Sequence, residues 1–250
     1  VYTYYFDPST AIASYVSKLW ASATANSAPD ATPGAYFGSS IALDGDTLVI
    51  GARRHPFTVD GATFDPGAAY IFEDISSSGN GDWTYLTRLT PSNIPTASGN
   101  EFGKDVAIDG DIIVVGELRG DGANMSQGSA HIYQRTATWP STPSAILLAD
   151  DGAKDDYFGN AVAVAGNTVV IGAPYNDDFT SNSGSAYAFE LTDGNWTQKA
   201  KLLIDDRYLG NAVATSGESL FIGTKWGKGM VHIMNKNVTP LCTAQGACIC

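Results

Sequence analysis

Apolar and polar residues along this chain fall into a phrase that recurs four times. Its fullest form spans residues 157–172, YFGNAVAVAGNTVVIG, and is followed by Ala173-Pro174. Related phrases start at Phe37 (FGSSIALDGDTLVIGA), at Phe102 (FGKDVAIDGDIIVVG) and, more divergent, at Leu209 (LGNAVATSGESLFIG). With the third copy counted from Phe158, the step between copies shortens from 65 through 56 to 51 residues. A period in this range predicts propeller blades or another repeat array, not one mixed domain.

Two apolar runs flank a turn in every copy. In the third they are residues 161–165 and 168–171, joined through Gly166-Asn167, and in the first two copies the turn reads Asp44-Gly45 and Asp109-Gly110. Asp-Gly between β-prone runs is a hairpin signal, because glycine accepts a positive φ without a Cβ clash. Val, Ile and Leu dominate the second run, which suits a strand covered on both faces. The Phe-Gly that opens the first three phrases, after Tyr157 in the third, predicts a buried ring beside a backbone that must be approached closely. A third strand follows at 67–72, 128–133, 184–189 and 229–234, each opening on glycine, and a fourth at 85–89, 144–148 and 198–202. The tight hairpin is constant, whereas the loop from the second to the third strand varies.

The fold class expected is all-β: a β-propeller or propeller-like array of four-stranded antiparallel blades, about four to five in this segment. Residues 1–36 read as the last two strands of a preceding blade plus a connector, because YVSKL at 15–19 aligns with YLTRL at 85–89. Blades then occupy 37–101, 102–157 and 158–208, an incomplete fourth covers 209–238, and 239–250 is a Cys-rich tail or the start of another module. Seven blades of this period would need about four hundred residues. These ends predict a segment of a longer protein, or one unit of an assembly whose neighbours cover its open strand edges.

Phe-Gly, a dozen residues, Gly-Ala or Gly-Ala-Pro, and then a G-S-A-Y-x-F strand together resemble the FG-GAP repeat. That repeat builds the propeller at the N-terminus of integrin α chains and occurs in bacterial and algal surface proteins. The resemblance covers residues 37–234. The third copy carries the full pair, Phe158-Gly159 and Gly172-Ala173-Pro174; the others have Gly51-Ala52-Arg53, Gly116-Glu117-Leu118 and Gly223-Thr224-Lys225. The resemblance implies a propeller that binds partners through its loops. It also implies calcium held in a D-x-D/N-x-D-G loop, but here that space is a tight hairpin such as ALDGDT at 42–47. A hard cation needs six or more oxygens, which a two-residue turn does not supply.

Composition narrows the function. A formal net charge of −12, from 14 Lys+Arg against 26 Asp+Glu, argues against nucleic-acid binding, which wants a basic face, and against adhesion to anionic membranes. No apolar run approaches a membrane span, so this segment inserts in no membrane. All three cysteines, Cys242, Cys248 and Cys250, lie in the last nine residues. Their spacing resembles the opening of an EGF-like or other small disulfide module; an odd count leaves at least one to pair beyond this segment or stay free, and zinc is the runner-up. Disulfide use implies an oxidising compartment. Three N-glycosylation sequons, at Asn124, Asn195 and Asn237, agree with an extracellular, secreted or cell-surface location.

Candidate chemistry is sparse. His131 and His232 occupy the slot of Tyr70 and Tyr187, so they read as structural, and His55 reads as solvated. Paired acids recur in connectors and loops: Asp150-Asp151, Asp155-Asp156, Asp177-Asp178 and Asp205-Asp206. They read as solvated; no metal or other cofactor is expected, and calcium at Asp150, Asp151, Asp155 and Asp156 is the alternative. Arg119-Gly120-Asp121 is the tripeptide that integrins recognise, in ordinary turn context. No catalytic residue is expected. The function expected is a non-enzymatic extracellular glycoprotein module for protein–protein interaction and structural assembly, of surface-fibre, matrix, sheath or flagellar-hair type. Its partners would be its own copies, other extracellular proteins or glycans. The alternatives are an adhesion receptor head reading a protein or glycan ligand through loops 53–66, 117–127 and 175–183, and a carbohydrate-active enzyme on a propeller scaffold.

Overall fold

The computed structural model describes residues 1–7, 9–19, 34–76, 82–91, 99–120, 126–204, 207–226, 229–235, 241–242 and 248–249. Strands and turns make up the described residues, with no helix among them. In chain order the strands are β1 (Tyr2–Asp7), β2 (Ile12–Lys18), β3 (Phe37–Asp44), β4 (Thr47–Ala52), β5 (Phe57–Val59), β6 (Ala62–Phe64), β7 (Ala68–Asp74) and β8 (Trp83–Leu89). There follow β9 (Phe102–Asp109), β10 (Ile112–Glu117), β11 (Ser129–Gln134), β12 (Ala145–Leu147), β13 (Ala161–Ala165), β14 (Thr168–Ala173), β15 (Ser185–Thr192) and β16 (Asn195–Leu202). The last are β17 (Ala212–Thr215), β18 (Ser219–Gly223), β19 (Val231–Asn235), β20 (Leu241–Cys242) and β21 (Cys248–Ile249).

Three sheets are antiparallel meanders of four strands, β3-β4-β7-β8, β9-β10-β11-β12 and β13-β14-β15-β16, and a three-stranded sheet β17-β18-β19 follows. The fold is therefore all-β and built of blade-like units. The β1–β2 hairpin pairs Tyr2 with Lys18 and shifts register after Thr3. The outer strands β7–β8 and β15–β16 pair Tyr70 with Arg88 and Tyr187 with Lys201, with the same shift one residue on. Two hairpins stand outside the repeating pattern. β5–β6 rises from the long loop after β4, and β20–β21 meets the edge of β16 through a parallel pairing of Cys248 with Leu202.

The two-residue loop between first and second strands starts on glycine in the first three units: Gly45, Gly110 and Gly166 have φ of 52°, 54° and 54°. In the first two copies the loop is Gly45-Asp46 and Gly110-Asp111, one residue later than Asp-Gly reads, because Asp44 and Asp109 already pair across the ladder with Thr47 and Ile112. Those aspartates act elsewhere. Asp44 accepts the Gly110 N–H at 2.7 Å, and Asp109 accepts that of Gly166, so each carboxylate caps the turn of the next sheet. Ala165 fills the slot in the third copy, and Gly217 N–H turns to Thr215 of its own hairpin.

The sheets pack face to face in succession. Val49, Ala69 and Ile71 of the first lie against Val106, Ile113 and Val115 of the second. Val114, Ala130 and Ile132 of the second meet Val162, Val169 and Ile171 of the third, and Val170 and Ala186 of the third meet Leu220 and Ile222 of the fourth. The second strands β4, β10 and β14, sandwiched on both faces, are buried at every residue. β18 alternates instead, and Val231 and Ile233 beside it are exposed, as are Ile41 and Leu43 at the other end of the stack.

Main-chain contact locks each junction. Phe102, Phe158 and Leu209 bridge in parallel to Gly67, Gly128 and Gly184 of the preceding sheet. The glycine after each of them, Gly103, Gly159 or Gly210, presses its carbonyl on Gly51, Gly116 or Gly172. A Cβ on Gly116 would lie 2.1 Å from the Gly159 carbonyl oxygen, whereas one on Gly45 would meet nothing within 4 Å. Gly116→Ala should therefore cost about 3 kcal/mol, and Gly45→Ala only the left-handed penalty of about 1–2 kcal/mol. Urea unfolding measures both; equal midpoints would contradict the junction described.

Candidate functional site

The residue before each Phe-Gly or Leu-Gly is Tyr36, Glu101, Tyr157 or Tyr208. Its carbonyl accepts the N–H three residues ahead, from Ser39, Lys104, Asn160 and Asn211, at 3.0–3.2 Å. This puts glycine third in a four-residue turn, where a type II turn needs a positive φ; Gly38, Gly103, Gly159 and Gly210 have φ of 91°, 80°, 89° and 84°. The first residue of the turn lies in the left-handed region too, with φ of 54°, 59°, 58° and 57° at the four positions. For tyrosine or glutamate this backbone is strained by roughly 1–3 kcal/mol. Repeated at one position of every unit, this conformation aims four side chains along one end of the stack.

A second position joins it. Arg54, Arg119, Tyr175 and Trp226 each stand three residues after the glycine of their second strand. In the first three units the N–H of this residue donates to the carbonyl two before Phe, at Ala35, Asn100 and Asp156. The side chains of the two positions alternate as one continuous ladder. Arg54 lies 5.8 Å from the Tyr36 ring and 3.8 Å from the Glu101 carboxylate. Arg119 is 3.3 Å from the same Glu101 oxygen, Oε1, and 5.7 Å from the Tyr157 ring. Tyr157 meets Tyr175 edge to face at 5.0 Å, Tyr175 meets Tyr208 at 5.1 Å, and Tyr208 meets Trp226 at 6.4 Å. Of the eight places two hold arginine, one holds Glu101 and five hold aromatic residues, and Trp226 is 62% exposed at the end of the row.

Glu101 is the electrostatic centre. Its side chain is 4% exposed, and Arg53 adds a third guanidinium at 2.9 Å while lying over Tyr36. Lys104, half-buried one turn away, has its ammonium pulled below its ordinary range by burial and by Arg53, against the opposing pull of Glu101 and Asp105, with Lys225 lowering it further. Asp156 supports the aromatic half. It is buried, accepts Ala153 N–H at 2.8 Å and Asn176 Nδ2 at 3.1 Å, and burial raises its carboxyl above the ordinary aspartate value despite these bonds.

The residues singled out in sequence fare differently. Arg119 is a ladder rung, and Gly120 is buried with no room for a Cβ between Ser129 and Glu117; Asp121 lies outside the described residues. Asn195 is exposed at the start of β16, while Asn124 and Asn237 fall outside the described residues. Cys242 and Cys248 are register partners across β20–β21; Cys250 is not among the described residues. His55 is a correction: it is buried, not solvated. The β5–β6 hairpin brings Phe57 against its ring at 5.1 Å, and its two nitrogens meet the Tyr70 hydroxyl and Arg88. His131 is buried beside Phe102, in the slot shared with Tyr70 and Tyr187.

The acids weighed for calcium have separate engagements. Asp151 takes Lys201 and the Tyr187 hydroxyl, Asp155 lies near Lys154, and the Asp150 N–H donates to Gln198. Asp178 also binds Lys201, whose ammonium burial would lower but which its two carboxylates hold above its ordinary range. Asp205 and Asp206 lie outside the described residues. An integrin-type calcium loop does not fit the hairpins, which have two loop residues whose flanking carboxylates cap the neighbouring turn. Among the described residues no group of three or more His, Cys, Asp or Glu converges as metal ligands would. One buried acid–base cluster escaped sequence reasoning. Glu117 accepts from Asn100 at 3.1 Å and from Ser129 at 3.0 Å, and lies 2.9 Å from His131 Nε2. Ser129 and Glu117 share that one nitrogen, so the imidazole does not bridge them as a proton relay requires.

Residues 20–72, 83–133 and 142–189 match the FG-GAP repeat family. No curated protein matches the chain.

Two outcomes test this site. Glu101→Gln leaves three guanidiniums around a neutral amide and should cost about 1–2 kcal/mol, less than a fully buried pair because the arginines are partly solvated; calorimetric melting measures it. Because the folded state holds the Asp156 proton more tightly than the unfolded chain, this group favours folding at acid pH and loses that contribution as pH rises through its raised pKa. Asp156→Asn, whose amide oxygen can accept both bonds, should thus gain on the parent most at neutral pH and least near pH 4. A difference independent of pH in paired urea titrations would contradict the assignment.

Proposed function

This chain belongs to the FG-GAP repeat family, whose repeats mark β-propeller modules of protein interaction, and on that premise we propose that it is a non-enzymatic extracellular glycoprotein module for assembly. Its partners are other copies of itself or other extracellular proteins. The observation that carries this reading is the ladder. Tyr, Trp and Arg are the residue types that concentrate binding energy at protein interfaces, and they fill seven of the eight places in the row, with Glu101 in the eighth. Loops 53–66, 117–127 and 175–183 leave the second strands at the ladder, so the same end would serve an adhesion head.

The absence of a relay at Ser129, His131 and Glu117 supports a non-catalytic role. Acidic composition, sequons at Asn124, Asn195 and Asn237, and cysteines confined to the last nine residues support an extracellular setting. No helix among the described residues is long and apolar enough to cross a membrane.

Native mass measurement of the secreted chain over a concentration series should reveal association, and the Tyr175→Ser/Trp226→Ser double variant should abolish it. A parent chain that stays monomeric throughout, and captures no second extracellular protein through this face, would overturn the proposal. Asn195→Gln should remove one glycan from the measured mass.

A further inference from the structure

The ladder also has a charge that runs against the rest of the molecule. The chain carries 14 Lys+Arg and a net charge of −12, yet Arg53, Arg54, Lys104, Arg119 and Lys225 gather at this one end. Among the described residues, Glu101 is engaged there by three guanidiniums and Asp105 by the Val162 N–H of the next sheet at 2.9 Å. Among the described residues no carboxylate ion-pairs with Lys104 or Lys225, although Glu101 and Asp105 act on Lys104 from farther off and Lys225 opposes its charge across the stack. At Lys104 burial and the two further cations outweigh those carboxylates, an imbalance that a further anion would relieve. The row continues without a break into Tyr157, Tyr175, Tyr208 and Trp226.

We propose that this strip binds a linear carboxylated polysaccharide, with uronate groups on Arg54, Lys104, Arg119 and Lys225 and pyranose faces on Tyr175 and Trp226. The inference rests on the ladder being an interaction surface, as proposed above. Guanidinium already grips carboxylate here in the contacts to Glu101, and carboxylate is the group its planar fork matches. Ring faces are negative and attract the polarised C–H bonds of a sugar face. A sugar chain offers both features in alternation. An acidic peptide is the weaker fit: an extended peptide binds by adding to a strand edge, and the ladder is built from turns at strand ends, where β4, β10 and β14 are paired on both sides.

Isothermal titration with oligogalacturonate tests it, against a neutral galacto-oligosaccharide of equal length and against oligoglutamate. The uronate should bind, weaken with added salt, and lose roughly tenfold or more in Trp226→Ala and in Lys104→Met/Lys225→Met. Those side chains are solvent-exposed or unpaired, so the variants should retain the parent melting temperature, which is checked alongside. The proposal is overturned if the uronate does not bind, if binding is unchanged in both variants, or if oligoglutamate binds as well as the uronate. A parent chain that self-associates but does not bind the uronate would sink this inference alone; a parent chain that does neither would sink the interaction surface itself.

Discussion

Everything in this structure depends on a place where two main chains touch. The carbonyl of Gly103, Gly159 or Gly210 presses on the bare Cα of Gly51, Gly116 or Gly172 in the sheet before it. Neither side has room for a methyl group, and the N–H of Phe102, Phe158 or Leu209 donates across the same seam to Pro66, Gln127 or Ser183. This contact sets how closely successive sheets approach at one end, and the apolar faces then fill the wedge that remains. At the other end the Asp44 and Asp109 carboxylates tie hairpin to hairpin. A sheet pinned at both ends of its strands has little freedom to slide, which is why its second strand can be buried throughout.

The same seam creates the ladder. Glycine in the third place of the turn satisfies both the turn and the close approach, and the first residue of the turn lies in the left-handed region. The scaffold does not need a tyrosine or glutamate there; it needs a backbone direction. That direction projects four side chains along the end of the stack, and the residues that leave the second strands fill the spaces between them. Charge and ring chemistry are consequences of which residues occupy these eight places.

Much of the architecture was legible. Period, tight hairpins and fully apolar second runs led to blade-like sheets with doubly covered strands, and Phe-Gly announced a buried ring beside a close backbone. The ladder was not legible, for physical reasons. Tyrosine and glutamate carry no left-handed preference, so nothing at Tyr36, Glu101, Tyr157 or Tyr208 signals φ near +55°. Glu101 stands in a slot held elsewhere by tyrosine and reads as one more loop acid; only packing reveals three guanidiniums around it. His55 lies in a loop of variable length, outside the repeat, so its burial depends on a hairpin, β5–β6, that the repeat does not contain. The Asp-Gly offset arose because the aspartate's bond crosses to another sheet, which a local turn rule does not see.

The seam is made of main-chain atoms and glycine, and the ladder of side chains that the seam does not use. Exchanging one rung therefore leaves the joint beneath it intact. Lineages that keep the glycines are free to rewrite the row letter by letter, so two molecules with superimposable blades can carry unrelated messages on this face. Resemblance in the framework is then a poor guide to what the row reads, and the alphabet has to be deciphered in each molecule separately.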